Sequence, residues 1–210
     1  DSSLRLNAIY SCVRVLTEDV ASLPLIVYRR RNEGLGKDRE PRHPLYSVLH
    51  DRPNRWQTSF EFREMLQGHL ELRGNAYAEI IPGPRGAVDQ LIPLHPDRVR
   101  VTQLETGALS YEYWPRTAKP RVLTQEEMFH LRLLSSDGIT GLSPIDLQRE
   151  AIGHGLAAQE YAARLFSNDA TPGGVLEHPE TLDDKQWAHL NDSLEKRTGL
   201  ANAHRPMVLE

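Results

Sequence analysis

From Ser143 to Ser167 the run SPIDLQREAIGHGLAAQEYAARLFS contains nothing that breaks a helix. Ser143 is a favoured N-cap, and Pro144 falls at the first helical position, where its missing N–H costs nothing. One continuous helix over this run spans roughly 36 Å, about the diameter of a small domain. The chain therefore divides into a part before the rod, the rod, and a part after it. The rod is rich in small residues: Ala151, Gly153, Gly155, Ala157, Ala158, Ala162 and Ala163. Each interior glycine costs about 1 kcal/mol relative to alanine. Two readings fit. Close packing against copies of itself or a neighbouring helix would offset the cost, or the rod is an ordinary core helix with incidental glycines.

The part before the rod reads as α+β. Leu6, Ile9, Val13, Leu16 and Val20 step by three and four, an amphipathic opening helix that ends at Pro24. Cys12, among Ile9, Val13 and Leu16, reads as a buried, inert thiol, and as the sole cysteine it can form no internal disulfide. Leu25-Ile26-Val27-Tyr28 reads as a strand, and RRRNEGLGKDREPR as a polar loop with Arg29, Arg30 and Arg31 at a solvated tip. HPLYSVLHDRPNR makes a short helix stopped by Pro53. Thr58 and Glu61 form a capping box for a second amphipathic helix, which Gly74 ends in the left-handed region.

Ala76 to Ile81, Val88 to Leu94, Val99 to Gln103 and Tyr111 to Trp114 read as one antiparallel meander. Thr124 and Glu127 are expected to cap a brief helix, followed by a strand over Met128 to Leu131. After the rod, Val175-Leu176 and Met207-Val208-Leu209 read as strands flanking a helix started by Thr181 with Asp184. That strand-helix-strand unit is too small to bury a core alone and calls for a partner. The start at Asp1 and the stop after MVLE suggest a piece of something longer.

Chemistry finds little purchase. The net charge of −4 argues against a surface that grips nucleic-acid backbone throughout, and no apolar run approaches the length of a membrane helix. His43, His95 and His178 precede prolines, and no histidine pair has zinc-enzyme spacing. GLSPI differs from a nucleophile elbow, since Ile145 stands at the second glycine's place and Ser143 already serves as a cap. No phosphate-binding glycine loop is present. The residues thus give no catalytic group, no cofactor and no metal site, and the expectation is a non-enzyme.

Several stretches taken in order are more specific. AIYSCVRVLTEDVASLPLIVYRR, HPLYSVLHDRPN, FEFREMLQGHLELRGNAYAEI, LIPLHPDRVRV, GLSPIDLQREAIGHGLAAQEYAARLFSN and PGGVLEHPETL succeed one another along nearly the whole chain. Together they resemble the portal proteins of tailed bacteriophages, of the Hong Kong 97 type. The resemblance implies a structural ring subunit, commonly one of twelve, at a capsid vertex. Double-stranded DNA passes through such a ring without sequence-specific binding. It further implies a wing domain over 1–140, a first stem helix over 141–168 and most of a clip over 169–210, with a second stem helix and crown outside this sequence. The Gly-Asn of LRGNAY then belongs to a helix-to-strand junction in the wing. Ala151, Gly153, Gly155, Ala157, Ala158 and Ala162 become the stem's subunit-packing residues. Val175, Leu176, Trp187, Lys196, Arg197 and Val208 become the clip's docking residues. The implied partners are the large terminase subunit, head–tail connector proteins and capsid proteins. The implied location is the virion, after assembly in the bacterial cytoplasm. A head–tail adaptor without a channel, or an α+β hydrolase, is the alternative.

Overall fold

The computed structural model describes residues 2–31, 36–167 and 183–195. The chain divides into two compact units, 1–152 and 153–210. In the first, helix α1 (Asn7–Ser22) leads to a two-stranded ribbon of β1 (Tyr28–Arg30) and β2 (Lys37–Arg39). The ribbon corrects the sequence reading. The strand starts at Tyr28 rather than Leu25, and its mate lies inside the expected loop. Cross-strand ion pairs, Arg31–Asp38 and Arg29–Glu40, staple residues whose polarity reads as loop.

A short helix α2 (Pro44–Tyr46) and a wide turn over Ser47–Asp51 precede α3 (Ser59–Arg73). The Thr58–Glu61 capping box forms reciprocally, and Gly74 ends α3 at φ +73° with its N–H on the Leu70 carbonyl. Strands β3 (Asn75–Pro82), β4 (Val88–Leu94), β5 (Val99–Gln103), β6 (Leu109–Tyr113), β7 (Arg121–Thr124) and β8 (Met128–Arg132) follow.

They do not make one meander. β3 is central to a sheet ordered β4-β3-β8, and β5-β6-β7 is a separate sheet, all pairs antiparallel. Strand β7 was not foreseen. The Thr124–Glu127 pairing does form, through the Thr124 N–H and hydroxyl, but it closes a tight turn between β7 and β8 rather than a helix. The local chemistry of a capping box is the same in both settings; only three residues separate these two strands, which leaves no room for a helix.

Alternation on β3 explains the layers. Ala76 and Ala78 face one way, opposite Leu131 and Phe129 of β8, and join Phe62, Leu66 and Leu70 of α3 in one core. Tyr77 faces the other way and packs with Leu94 and Met128 against Tyr111 and Leu123 of the second sheet. Helix, sheet and sheet thus stack around a central strand buried on both faces. Glu79, also on the second face and 8% exposed, takes a bidentate ion pair from Arg121 of β7.

Helix α1 packs on α3 through Thr17 and Ala21, which are buried, with Gly68 of α3 close to the Thr17 methyl. Arg63 of α3 donates twice to the Ala21 carbonyl at the end of α1, closing one of that helix's orphan acceptors. Small residues therefore choose the contact face. Cys12, about 140° around the helix from Thr17 at 100° per residue, is exposed, which corrects the expected buried thiol.

The rod is interrupted. Helix α4 (Pro144–Leu147) stops at Gln148, whose φ and ψ of −105° and 16° leave the helical region, and α5 (Arg149–Ser167) begins after it. One continuous helix from Ser143 was expected; the break falls before the small-residue cluster. In the second unit, α6 spans Asp184–Glu195. The Asp183 N–H donates to Gln186 Oε1, the reach-back half of a capping box two residues beyond the Thr181–Asp184 pair expected from the sequence. Val175, Leu176, Thr181, Lys196, Arg197, Val208 and the strands assigned to 175–176 and 207–209 lie outside the described residues. Among the described residues no helix is long and apolar enough to cross a membrane.

Candidate functional site

Two motifs far apart in sequence, LRGNAY and GLSP, meet. Asn75 opens β3, and its Nδ2 donates to the Gly141 carbonyl at 2.8 Å while its Oδ1 accepts the Gly141 N–H at 2.7 Å. The amide side chain thus pairs with one residue's backbone as a neighbouring strand would. Around it the Leu133 N–H donates to the Gly74 carbonyl, and the Ser143 hydroxyl donates to the Leu72 carbonyl. Gly74 and Gly141 approach so closely that a Cβ on either would overlap the other segment's backbone carbonyl. The glycine-asparagine pair is therefore a latch. It holds the segment that leads into α4 against the end of α3.

The intervening loop is built for the return. Asp137 Oδ1 accepts from the N–H groups of Ile139 and Thr140 and from the Ser135 hydroxyl, which holds its carboxyl well below the usual range. Gly138 supplies φ +73° within this turn, and the Leu142 N–H reaches back to the Leu134 carbonyl.

The latch continues inward. Asn75 Oδ1 also meets His130 Nε2 at 3.1 Å, and Tyr111 Oη meets His130 Nδ1 at 3.3 Å. Since an amide oxygen only accepts, Nε2 carries the proton and Tyr111 donates to Nδ1. The His130 ring stacks on Tyr77 with centroids 4.4 Å apart, and Tyr111 meets it edge-on. Burial, aided by Arg132, lowers the His130 pKa to about 4. On α3, burial and then His95 lower that of His69 to about 4 as well.

A pH dependence follows. Unfolded histidine titrates near 6.5, so between about pH 6.5 and 4 the unfolded chain binds protons that the folded chain refuses. Stability is flat above that window and falls as pH drops through it. Urea midpoints measured from pH 7.5 to 4.5 should decline over this range, and His69→Gln should flatten part of the slope. A midpoint independent of pH across the window would contradict the burial of both rings. Asp97, held low by its Arg73 hydrogen bond, begins to lose its contribution as pH falls into the ordinary carboxylate range at about 4, so it adds to the decline only at the lower edge of the window.

Ser143 is occupied on both sides. Its Oγ accepts the Asp146 N–H at 3.2 Å while donating to Leu72. Ser143→Ala should therefore cost about 1–2 kcal/mol, at the upper end for an N-cap because a second bond is lost. Chemical denaturation checks it, and a loss below about 0.3 kcal/mol would mean that the cap is not formed in solution.

The third motif, RPN, is also architectural. Pro53 is fully buried, and its carbonyl accepts the Leu91 N–H. Asn54, 3% exposed, donates to the Leu91 carbonyl and accepts from the N–H groups of Trp56 and Gln57. The motif docks a loop onto the edge of β4. His43 and His95, each before a proline, accept backbone N–H groups from Leu45 and Asp97 as turn caps.

The candidate stem residues are on α5. Ala151, Gly153, Ala157 and Ala158 are exposed, with Gly155 and Ala162 half-buried, and a Cβ on Gly153 would meet open space. Tyr161 and Phe166 on the same helix are 68% and 66% exposed. On α6 Trp187 is 56% exposed. Sequence reading did not find the Asn75–Gly141, His130–Tyr111 or Glu79–Arg121 pairings. The strict alternation in Asn-Ala-Tyr-Ala-Glu was the available signal that both faces of β3 are used.

A sequence profile of the phage portal protein family matches residues 7–210. The chain belongs to the phage portal protein family. It is 28% identical to the portal protein of Enterobacteria phage HK97 over 208 residues, covering 99% of this chain and 49% of the relative. Solved structures share its fold, two of them from gene transfer agent particles. One is a chain from the neck of an empty gene transfer agent particle computed with C6 symmetry, 27% identical with a TM-score of 0.67, covering 96% of this chain and 55% of that one. The other is from the neck of the native particle computed with C12 symmetry, 25% identical with a TM-score of 0.64, covering 96% and 54%. The chain spans about half the length of the relatives it matches. In this portal-family chain the RPN, LRGNAY and GLSP motifs all carry architectural hydrogen bonds.

Proposed function

We propose that this chain supplies the wing over 1–140, the first stem helix over 141–168 and most of the clip over 169–210 of a ring subunit at a phage capsid vertex. Double-stranded DNA passes through that ring during packaging and ejection. The observation that carries the reading is the fold shared, across 96% of this chain, with the particle necks computed under six- and twelve-fold symmetry. Identical subunits around an axis need heterologous surfaces, and a helix with exposed small residues lets neighbouring backbones approach closely. Ala151, Gly153, Gly155, Ala157, Ala158 and Ala162 are the residues of that contact. The net charge of −4 suits a conduit, because each neutralised phosphate adds counterion-release affinity that would hold DNA in place. Terminase, head–tail connectors and capsid proteins are the partners in this reading. Val175, Leu176, Trp187, Lys196, Arg197 and Val208 are the clip residues that meet them. The role is structural, without catalysis or cofactor, in a virion assembled in the host cytoplasm.

Negative-stain images of the purified full-length gene product test it. Closed rings with a central channel are expected, and a tryptophan at Gly153 should prevent them without unfolding the wing. Monomers alone, or open filaments, would overturn the reading.

A further inference from the structure

The sheet β4-β3-β8 is three strands wide, about 14 Å at 4.7–4.9 Å spacing, whereas one helix is about 10–12 Å across with its side chains. Its apolar face is covered by α3, and α1 packs chiefly on α3 rather than on the sheet. What remains is an apolar groove of about 280 Å³, lined by Val20 near the end of α1, Leu25 in the segment after it, Leu66 and Leu70 of α3, and Phe129 and Leu131 of β8. Leu16, Leu23 and Leu25 stand exposed at 47%, 65% and 46%, continuing the apolar character outward. Native interiors are close-packed, so an open apolar space of this size among core side chains marks a missing layer.

We propose that this groove is the seat of an amphipathic helix from the part of a portal polypeptide that this chain does not match. The chain covers only about half of its relatives' length, so a comparable length of portal polypeptide lies outside the match. The groove's chemistry specifies a helix with leucine-like residues at i, i+3 or i+4, and i+7, and no anchoring charge. A small-molecule site would present convergent polar groups. Here the polar groups at the rim are already engaged: Arg63 donates to Ala21 and Ser59, and Gln67 donates to Glu71. The inference rests on family membership and not on the ring or the DNA channel, so it can fail while the proposed function stands.

The test uses the purified chain and overlapping 20-residue peptides that span the parts of the Enterobacteria phage HK97 portal protein that this chain does not match, read by fluorescence anisotropy. One or more peptides with an apolar stripe at helical spacing should bind. Leu25→Glu and Val20→Glu, both at partly exposed rim positions, should weaken that binding at least tenfold. Leu134→Glu, at a residue 77% exposed that does not line the groove, should leave it unchanged. No peptide binding, or binding indifferent to Leu25→Glu and Val20→Glu, overturns the proposal. A concentration-dependent dimer that Leu25→Glu dissociates, with no peptide bound, would also overturn it by making a second copy the occupant.

Discussion

Gly74→Ala is expected to destabilise the first unit by about 3 kcal/mol or more, whereas Gly107→Ala should cost only about 1 kcal/mol. Both glycines hold positive φ, +73° and +86°, so both substitutions carry the left-handed penalty of a side chain. They differ in what a Cβ meets. At Gly107 there is open space within 4 Å, while at Gly74 a Cβ would overlap the Leu142 backbone carbonyl. Backbone cannot rotate aside as a flexible side chain can. Relief would require pulling Gly141–Ser143 off the latch, with loss of both Asn75–Gly141 bonds and the Ser143–Leu72 bond. Urea midpoints at pH 7 for the two variants measure the difference directly. If Gly74→Ala falls within about 0.5 kcal/mol of Gly107→Ala, the usual error of such comparisons, the latch opens at little cost and does not hold the approach to α4. Hydrogen exchange gives a second readout: the Gly141 and Leu142 amides should lose protection in Gly74→Ala and not in Gly107→Ala.

The second large effect lies between the two sheets. Arg121→Met should cost about 2–3 kcal/mol, because it leaves the Glu79 carboxylate on a buried face without its partner. The figure is set below that for a fully buried pair because the Arg121 side chain is 49% exposed, against 11% for Glu79. Water can reach the guanidinium and screen part of the interaction. Removing both charges, with Glu79→Met and Arg121→Met together, should recover most of the loss, since apolar residues of similar volume suit a face shared with Tyr77 and Met128. A double-mutant cycle by chemical denaturation isolates the coupling. A coupling below about 0.5 kcal/mol would place the pair among ordinary surface salt bridges and remove it from the contacts that join the sheets.

These two sites show where legibility ended. The sequence alone determined the elements whose signals are local. The Thr58–Glu61 box, the Gly74 stop and the Ser143 cap rest on contacts within a few residues, and the turns that bound β4 and β5 are marked by local residues. Each is decided by backbone geometry and neighbouring side chains, which travel with the sequence wherever the segment folds. The order of the RPN, LRGNAY, GLSP and FSN…PGGVL motifs was also enough to reach the family, and the first three hold specialised backbone arrangements that few alternatives satisfy.

Only the tertiary structure decided what those motifs touch. Asn75 and Gly141 are 66 residues apart, and nothing local to either names the other. The split into two sheets depended on β8 finding β3 rather than β7, a choice made by burying Phe129 and Leu131 beside Ala76 and Ala78. Polar ribbon strands β1 and β2 were hidden because charge pairs, not apolar alternation, hold them. Cys12 was misread for a related reason: periodicity locates an apolar stripe, but the small residues Thr17, Ala21 and Gly68 set which part of the helix is sealed. The break at Gln148 carries no propensity signal, since glutamine is a good helix former. The chain just before it is tethered by Asn75 and Leu72, and a tethered start fixes where α4 lies independently of the sequence that follows.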